Sequence, residues 1–391
     1  SGAAKSYGVE AFSDSDDLVQ NNICQHVVAC LMVGQDYGSV YAYNYMVDSG
    51  YSPTDWMIGM IFENHDFSGM DLFEGNDADG INLDNVHGTG STETAFRNRY
   101  RGQDTPEKTN SLLVVQDSAF NRAENFVGNV FGTSGSETAY QTTIAFNSGN
   151  IWDLNNQAEH GSVPNDPIVA SSLLRWGNYD VVTGAVRWCG NSADPGWSTT
   201  CSSMSEIPTT GVTFISGNAV PSNTALPASF YLSSQPAFWA TSFGTPPWPA
   251  IGPGVSGGTA PDGVAGYSYS IPSQLCAANT PVDPAYQQTF TVTAASWSAG
   301  TVTLTIGSNA LASSNTVTVS GISPAAYNGI FAVTGETATT ITYALASNPG
   351  TYTSGGTVAY PNILLFNAAN CYPAAYGALP SPPSSLSAVV Q

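Results

Sequence analysis

Between residues 65 and 101 the sequence gathers groups that could move a proton, hold a cation or grip an anion: His65, Asp66, Asp71, Glu74, Asp77, Asp79, Asp84, His87, Arg97, Arg99 and Arg101. Asp77 precedes Arg99 by 22 residues and Asp79 precedes Arg101 by 22, so a backbone repeating with that period stands each acid beside an arginine. Carboxylates beside guanidinium groups can bind an acidic sugar or transfer a proton. In a lyase, a base removes the proton alpha to a uronate carboxylate while Ca²⁺ or arginine neutralises the enolate-like charge. In an inverting glycosidase, two carboxyl groups about 6.5–9.5 Å apart serve as acid and base. Asp77, Asp79, His87, Arg99 and Arg101 are therefore candidate catalytic residues, with Tyr45, Asp84 and Arg97 as substrate contacts. The oxygens of Asp77, Asp79 and Asp84 also form a candidate Ca²⁺ set, although NDADGINLD departs from the EF-hand pattern, with Gly75 and Val86 at its end positions. The plainer reading is a row of ion pairs on an outward face, each contributing about 0–1 kcal/mol when exposed. No Gly-x-Ser-x-Gly elbow or His-x-x-x-His motif lies within residues 65–101. His26 and His160 read as turn or packing residues.

The same stretch belongs to a longer repeat. VQNNIC, YAYNYM, FEGNDA, AFRNRY, FVGNVF and, more loosely, NSGNIW align on Asn22, Asn44, Asn76, Asn98, Asn129 and Asn150, with steps of 22, 32, 22, 31 and 21. A unit of about 22 residues, twice enlarged by about ten, accounts for every step, and looser echoes follow at Asn178 and Asn218. Three residues before the asparagine stand Val19, Tyr41, Phe73, Ala95 and Phe126, and two after it stand Cys24, Met46, Ala78, Tyr100, Phe131 and Trp152. These are expected to point inward, while Asp77, Asp79, Arg99, Arg101 and Asp153 face solvent. Period-two alternation between Gly, Asn, Asp and Ser turns argues against a helical repeat and fits a parallel β-helix of stacked coils. The asparagines then form a ladder, each amide donating to one coil and accepting from another.

This pattern resembles the right-handed parallel β-helix proteins of the pectate-lyase-like superfamily, above all large secreted bacterial members. The resemblance covers about residues 7 to 254 and rests on the repeat and on NVHGTGSTETAFRNRYRG, SSLLRWGNYDVVTGAVRW, FYLSSQPAFW and PWPAIGP. It implies architecture more than activity, because this fold hosts lyases, glycosidases, esterases, adhesins and phage tail spikes. NDAD and VHGTG are similar to the Asn-Thr-Asp and Gly-His-Gly elements of polygalacturonases. Asn76 and His87, however, are only 11 residues apart, and the paired-aspartate element is missing.

Composition narrows the partners. The 391 residues carry 29 acidic and 8 basic side chains, a formal charge of −21, which disfavours nucleic acid and anionic membranes. No lysine or arginine follows Arg187. No apolar run is long enough to cross a bilayer, and so few trypsin sites suit a secreted protein. Six cysteines pair most simply as Cys24–Cys30, Cys189–Cys201 and Cys276–Cys371, implying an oxidising compartment. The chain reads as a mature or trimmed product.

Residues 1–286 are expected to form the β-helix, ending in an aromatic, Pro-rich cap built from Phe230, Tyr231, Phe238, Trp239, Phe243 and Trp248. Thr/Val alternation marks 287–360 as an inserted antiparallel sandwich or barrel. Residues 361–377 return to the host, and 378–391 read as a Pro/Ser linker toward a fibronectin III-like domain. The expected function is binding, with cleavage in prospect, of extracellular polysaccharide; the alternative is a structural or adhesive protein that self-associates as a homo-oligomer or fibre.

Overall fold

The structure, a computed structural model, describes residues 6–50, 56–65, 67–105, 108–143, 149–154, 164–188, 206–208, 224–257, 267–282, 287–309, 311–313, 315–360 and 364–372. Short strands recur in threes. The first winding supplies β1 (Tyr7–Ser15), β2 (Leu18–Gln20) and β3 (Ile23–Gln25), and the second supplies β4 (Ala29–Tyr37), β5 (Val40–Ala42) and β6 (Tyr45–Val47). The third has β7 (Ile61–His65), β8 (Leu72–Glu74) and β9 (Asp77–Ala78), and the fourth has β10 (Ile81–Leu83), β11 (Thr94–Phe96) and β12 (Arg99–Tyr100). The fifth has β13 (Val115–Asp117), β14 (Asn125–Val127) and β15 (Val130–Phe131). After β16 (Ala139–Thr142), the last winding has β17 (Asn150–Leu154), helix α1 (Ile168–Ser172), β18 (Leu174–Trp176) and β19 (Asn178–Asp180), and β20 (Ala185–Arg187) folds back antiparallel.

One strand from each winding enters each of three parallel sheets. Sheet one runs β1-β4-β7-β10-β13-β17-β16, sheet two β2-β5-β8-β11-β14-β18, and sheet three β3-β6-β9-β12-β15-β19-β20. Parallel pairing in register brings equivalent residues of successive windings together, so like side chains stack along the axis. Tyr41 lies over Phe73 at 5.3 Å and Tyr100 over Phe131 at 6.0 Å, while Trp152 meets Phe126 and Phe131 edge-on at 5.1 Å. These rings and Leu31, Ile61, Ile81 and Val115 form one continuous buried core. At its far end the inward position passes to Arg175, whose guanidinium covers Trp152 and meets buried Glu206 at 2.9 Å; Arg187 and the Tyr140 hydroxyl bond the same carboxylate.

The asparagine file stands between sheets two and three. The Oδ1 atoms of Asn44, Asn76, Asn98 and Asn129 each accept both the backbone N–H and the side-chain amide of the preceding asparagine, at 2.8–3.0 Å. The sixth member is Asn178, which accepts from Asn129 at 2.9 Å, and not Asn150. Asn150 begins a strand of sheet one, and Trp152 lines that sheet; the excursion carrying β16 breaks the count of 22, and Asp180 takes the inward place assigned to Trp152.

The aromatic segment runs along the flank of the windings instead of across one end. Phe230 stacks on Phe96 at 3.9 Å, Trp239 meets Tyr43 edge-on at 5.0 Å, and Tyr267 lies 4.6 Å from Tyr179, so the segment touches windings two to six. Helix α2 (Pro272–Asn279) continues this cover, with Ser273 donating to the Tyr43 carbonyl at 2.8 Å.

Residues 288–360 form two four-stranded antiparallel sheets around a second core of Val302, Leu304, Val317, Val319, Ile341, Tyr343 and Val358. Their threonine-rich strands alternate inward Val, Leu and Ile with outward Thr and Ser. Cys276 and Cys371 are bonded across this unit, and Cys24 is bonded to Cys30. Residues 189–205 and 378–391, with the Cys189–Cys201 pair and the linker reading, lie outside the described residues, as does His160.

Candidate functional site

The predicted catalytic cluster is divided and largely covered. Asp77 and Arg99 pair in register across β9 and β12, but they are only 4% and 1% exposed. The solvent-facing placement expected of them fails because the flank segment and α2 cover sheet three. Beneath that cover, Arg101 pairs with Asp77, donates to the Met46 carbonyl at 2.6 Å and lies 5.9 Å from the Tyr45 ring. Burial works against the Arg101 charge, yet Asp77 and its other acidic neighbours hold it above the ordinary arginine value. Burial raises the Tyr45 phenol to about 12.

Arg99 donates to the carbonyls of Tyr100, Val130 and Gly132 at 2.7–3.2 Å. Arg97 holds the flank segment through the carbonyls of Pro227 and Ile251, both at 2.8 Å, and Leu226 at 3.2 Å. Burial pulls it down to about 10, against the opposing influence of Glu74. These arginines satisfy backbone carbonyls that the tight corners leave open, a structural use of charge.

The acids are engaged in the same way. Asp79 accepts from the backbone N–H groups of Met60 and Gly80 at 2.8 and 2.7 Å, and Asp84 accepts from Val86 at 3.0 Å. Asp77 belongs to sheet three, Asp79 to the following corner and Asp84 to the end of sheet one. Among the described residues no three His, Cys, Asp or Glu side chains converge as a cation cage, so the Ca²⁺ set does not assemble. His87 is exposed in the connection from β10 to β11, away from Asp77, Arg99 and Arg101.

Solvent instead meets the edge where sheet one turns into sheet two. Among the described residues between 6 and 188, the seven exposed large apolar side chains lie at or beside this edge: Phe12, Leu18, Tyr37, Phe67, Met70, Phe120 and Ile168. Bridges Tyr37↔Gly69, Gly69↔Ser91 and Ser91↔Arg122 set their register, so Ser13, Gln35, Phe67, Thr89 and Phe120 occupy one row. Phe67 and Phe120 are 64% and 44% exposed and two windings apart, roughly 9.6 Å at the usual strand spacing. Each has a positive φ, 63° and 81°, which turns the chain sharply and presents the ring outward.

Nothing in the composition marks this row, but the period does. Phe67 and Phe120 stand nine residues before Asn76 and Asn129, as Ser13 and Gln35 stand nine before Asn22 and Asn44. Extending the alignment into the connections would have found them.

No protein-family model matches the chain, and no curated protein or solved structure shows significant similarity to it.

Proposed function

We propose that this chain is a secreted, right-handed parallel β-helix protein of the pectate-lyase-like type that binds an extended, neutral polysaccharide along the exposed edge between sheets one and two. The gathering of exposed rings on that one edge carries this function. Pyranose C–H faces stack on aromatic rings, and Phe67 and Phe120 are separated by about two strand spacings, near the length of a disaccharide unit. A net charge of −21 disfavours acidic glycans. Stacking holds a sugar without moving a proton, so the role is binding, and lyase or hydrolase chemistry is not assigned to the covered Asp77–Arg101 face. The two disulfides among the described residues accord with an extracellular protein, and no helix among those residues is long and apolar enough to cross a membrane.

Calorimetric titration with neutral β-linked oligosaccharides and with oligogalacturonate tests this function. Neutral ligands should bind, and Phe67→Ala with Phe120→Ala should weaken them roughly tenfold or more, a loss of about 1.4 kcal/mol or more, without lowering the unfolding temperature. Undiminished binding by the double variant, preference for the acidic ligand, or no glycan binding would overturn it.

An adhesive or fibrous role is a second reading, favoured by one feature. Strands β1, β2 and β3 are the outermost members of their sheets on one side among the described residues, and aligned strand edges can accept another copy.

A further inference from the structure

Beneath the same edge runs a file of side chains that glycan binding does not use. Asp71, Glu93 and Glu124 stand five residues before Asn76, Asn98 and Asn129 and are 0%, 3% and 1% exposed. One oxygen of each accepts a backbone N–H: Ser39 to Asp71 at 2.8 Å, Asp71 to Glu93 at 3.0 Å and Glu93 to Glu124 at 2.6 Å. The other oxygen of each is buried without a hydrogen-bond partner, as are Oε1 of Glu63 and Oδ1 of Asp117, which project inward from sheet one.

The charged groups facing this set are mostly acids. Asp36, bonded to the Tyr41 hydroxyl and to Ser39, faces Asp71; Asp84 faces Glu63; Arg122, beside Asp117, is paired with Asp166 at 2.6 Å. An asparagine in such a file both accepts and donates, whereas an ionised carboxylate only accepts. Carboxylates repeating at about 4.8 Å in a buried corner repel one another, and each also loses hydration. A proton removes both penalties and turns the unpartnered oxygen into a donor.

We propose that Glu63, Asp71, Glu93, Asp117 and Glu124 form an acid-stabilised lock, in which bound protons hold the windings together and their loss loosens the edge above. Burial is the main cause that lifts Asp71 and Asp117 to about 7 and Glu63 to about 8, and it lifts Glu93 and Glu124 well above the carboxylate range. These folded-state values exceed unfolded ones near 4, so the folded chain binds more protons. The stabilisation is fully present below about pH 4; the share of Asp71, Asp117 and Glu63 is lost as pH rises through about 7 to 8, and that of Glu93 and Glu124 as pH rises through their own raised values. His26 works in the same direction, because its hydrogen bond to Asp48 raises it against the opposing effect of burial.

The test is thermal unfolding of the full chain from about pH 5 to about pH 9, with and without a chelator, beside the Glu93→Gln/Glu124→Gln double variant and His26→Gln. The wild-type unfolding temperature should fall by several degrees across that range. The glutamine pair, carrying permanent donors, should flatten the fall, and His26→Gln should leave most of it. If the pair does not fold, infrared spectroscopy of the wild type should show a protonated-carboxyl carbonyl band near neutral pH that vanishes on alkalinisation. A flat or rising profile, a fall abolished by His26→Gln, an unchanged slope in a folded glutamine pair, absence of that band, or a neutral-pH unfolding temperature lowered by chelator would overturn the proposal.

Discussion

Asn98 shows what one side chain does at a corner of a stacked winding. Its Oδ1 accepts from the backbone and amide of Asn76, both at 2.9 Å, and its Nδ2 donates to the Phe73 carbonyl at 2.8 Å and to Asn129 at 3.0 Å. Replacement by alanine leaves the Asn76 N–H and the Phe73 carbonyl buried without those partners. At about 1–3 kcal/mol for each of the two orphaned groups, Asn98→Ala should lose roughly 2–6 kcal/mol in urea unfolding. A loss below about 1 kcal/mol would mean that water or a rearranged corner replaces the amide. The residues before the asparagine obey the same geometry with other chemistry: an acid five positions earlier can receive a backbone N–H but needs a proton before it can give one.

Among the elements, the flank segment decides which surface is open. Its attachment converges on Arg97, whose guanidinium donates to three carbonyls of the segment while lying 5.2 Å from the Phe96 ring on which Phe230 stacks. Arg97→Met keeps the apolar stem and removes the donors. Hydrogen exchange should then accelerate at least about tenfold at segment amides such as Phe230, which donates to Glu74, and Gly252, which donates to Tyr267. The Arg99 amide, bonded to Asn76 within the windings, should keep its protection. Uniform acceleration at all three would show that the segment and the windings open as one unit.

The whole molecule holds two buried cores, one in the windings and one between the antiparallel sheets, which meet at a contact from Thr316 to Asp48 at 3.1 Å, while the Cys276–Cys371 bond ties together the chain segments that lead into and out of the sandwich. The disulfide spans 95 residues of sequence. Cys276→Ser/Cys371→Ser should therefore cost roughly 2–5 kcal/mol and separate a sandwich transition from that of the windings in calorimetry. A single unshifted transition would count against the disulfide as the clamp on the segments leading into and out of the sandwich. Local spacing specifies the windings, because parallel stacking in register places residues one period apart side by side. Hence Val19, Tyr41, Phe73, Ala95 and Phe126 were legible as an inward column, and five of the six ladder asparagines as a file. Counting failed at Asn150, where an excursion carrying an extra strand enters before the last winding. Tertiary structure alone decided that Asp77, Asp79, Arg99 and Arg101 are buried and that the aromatic edge is open. The cover on sheet three comes from partners as distant as Ile251, 154 residues beyond Arg97, and no period of about 22 residues can encode which outer face a remote segment will occupy.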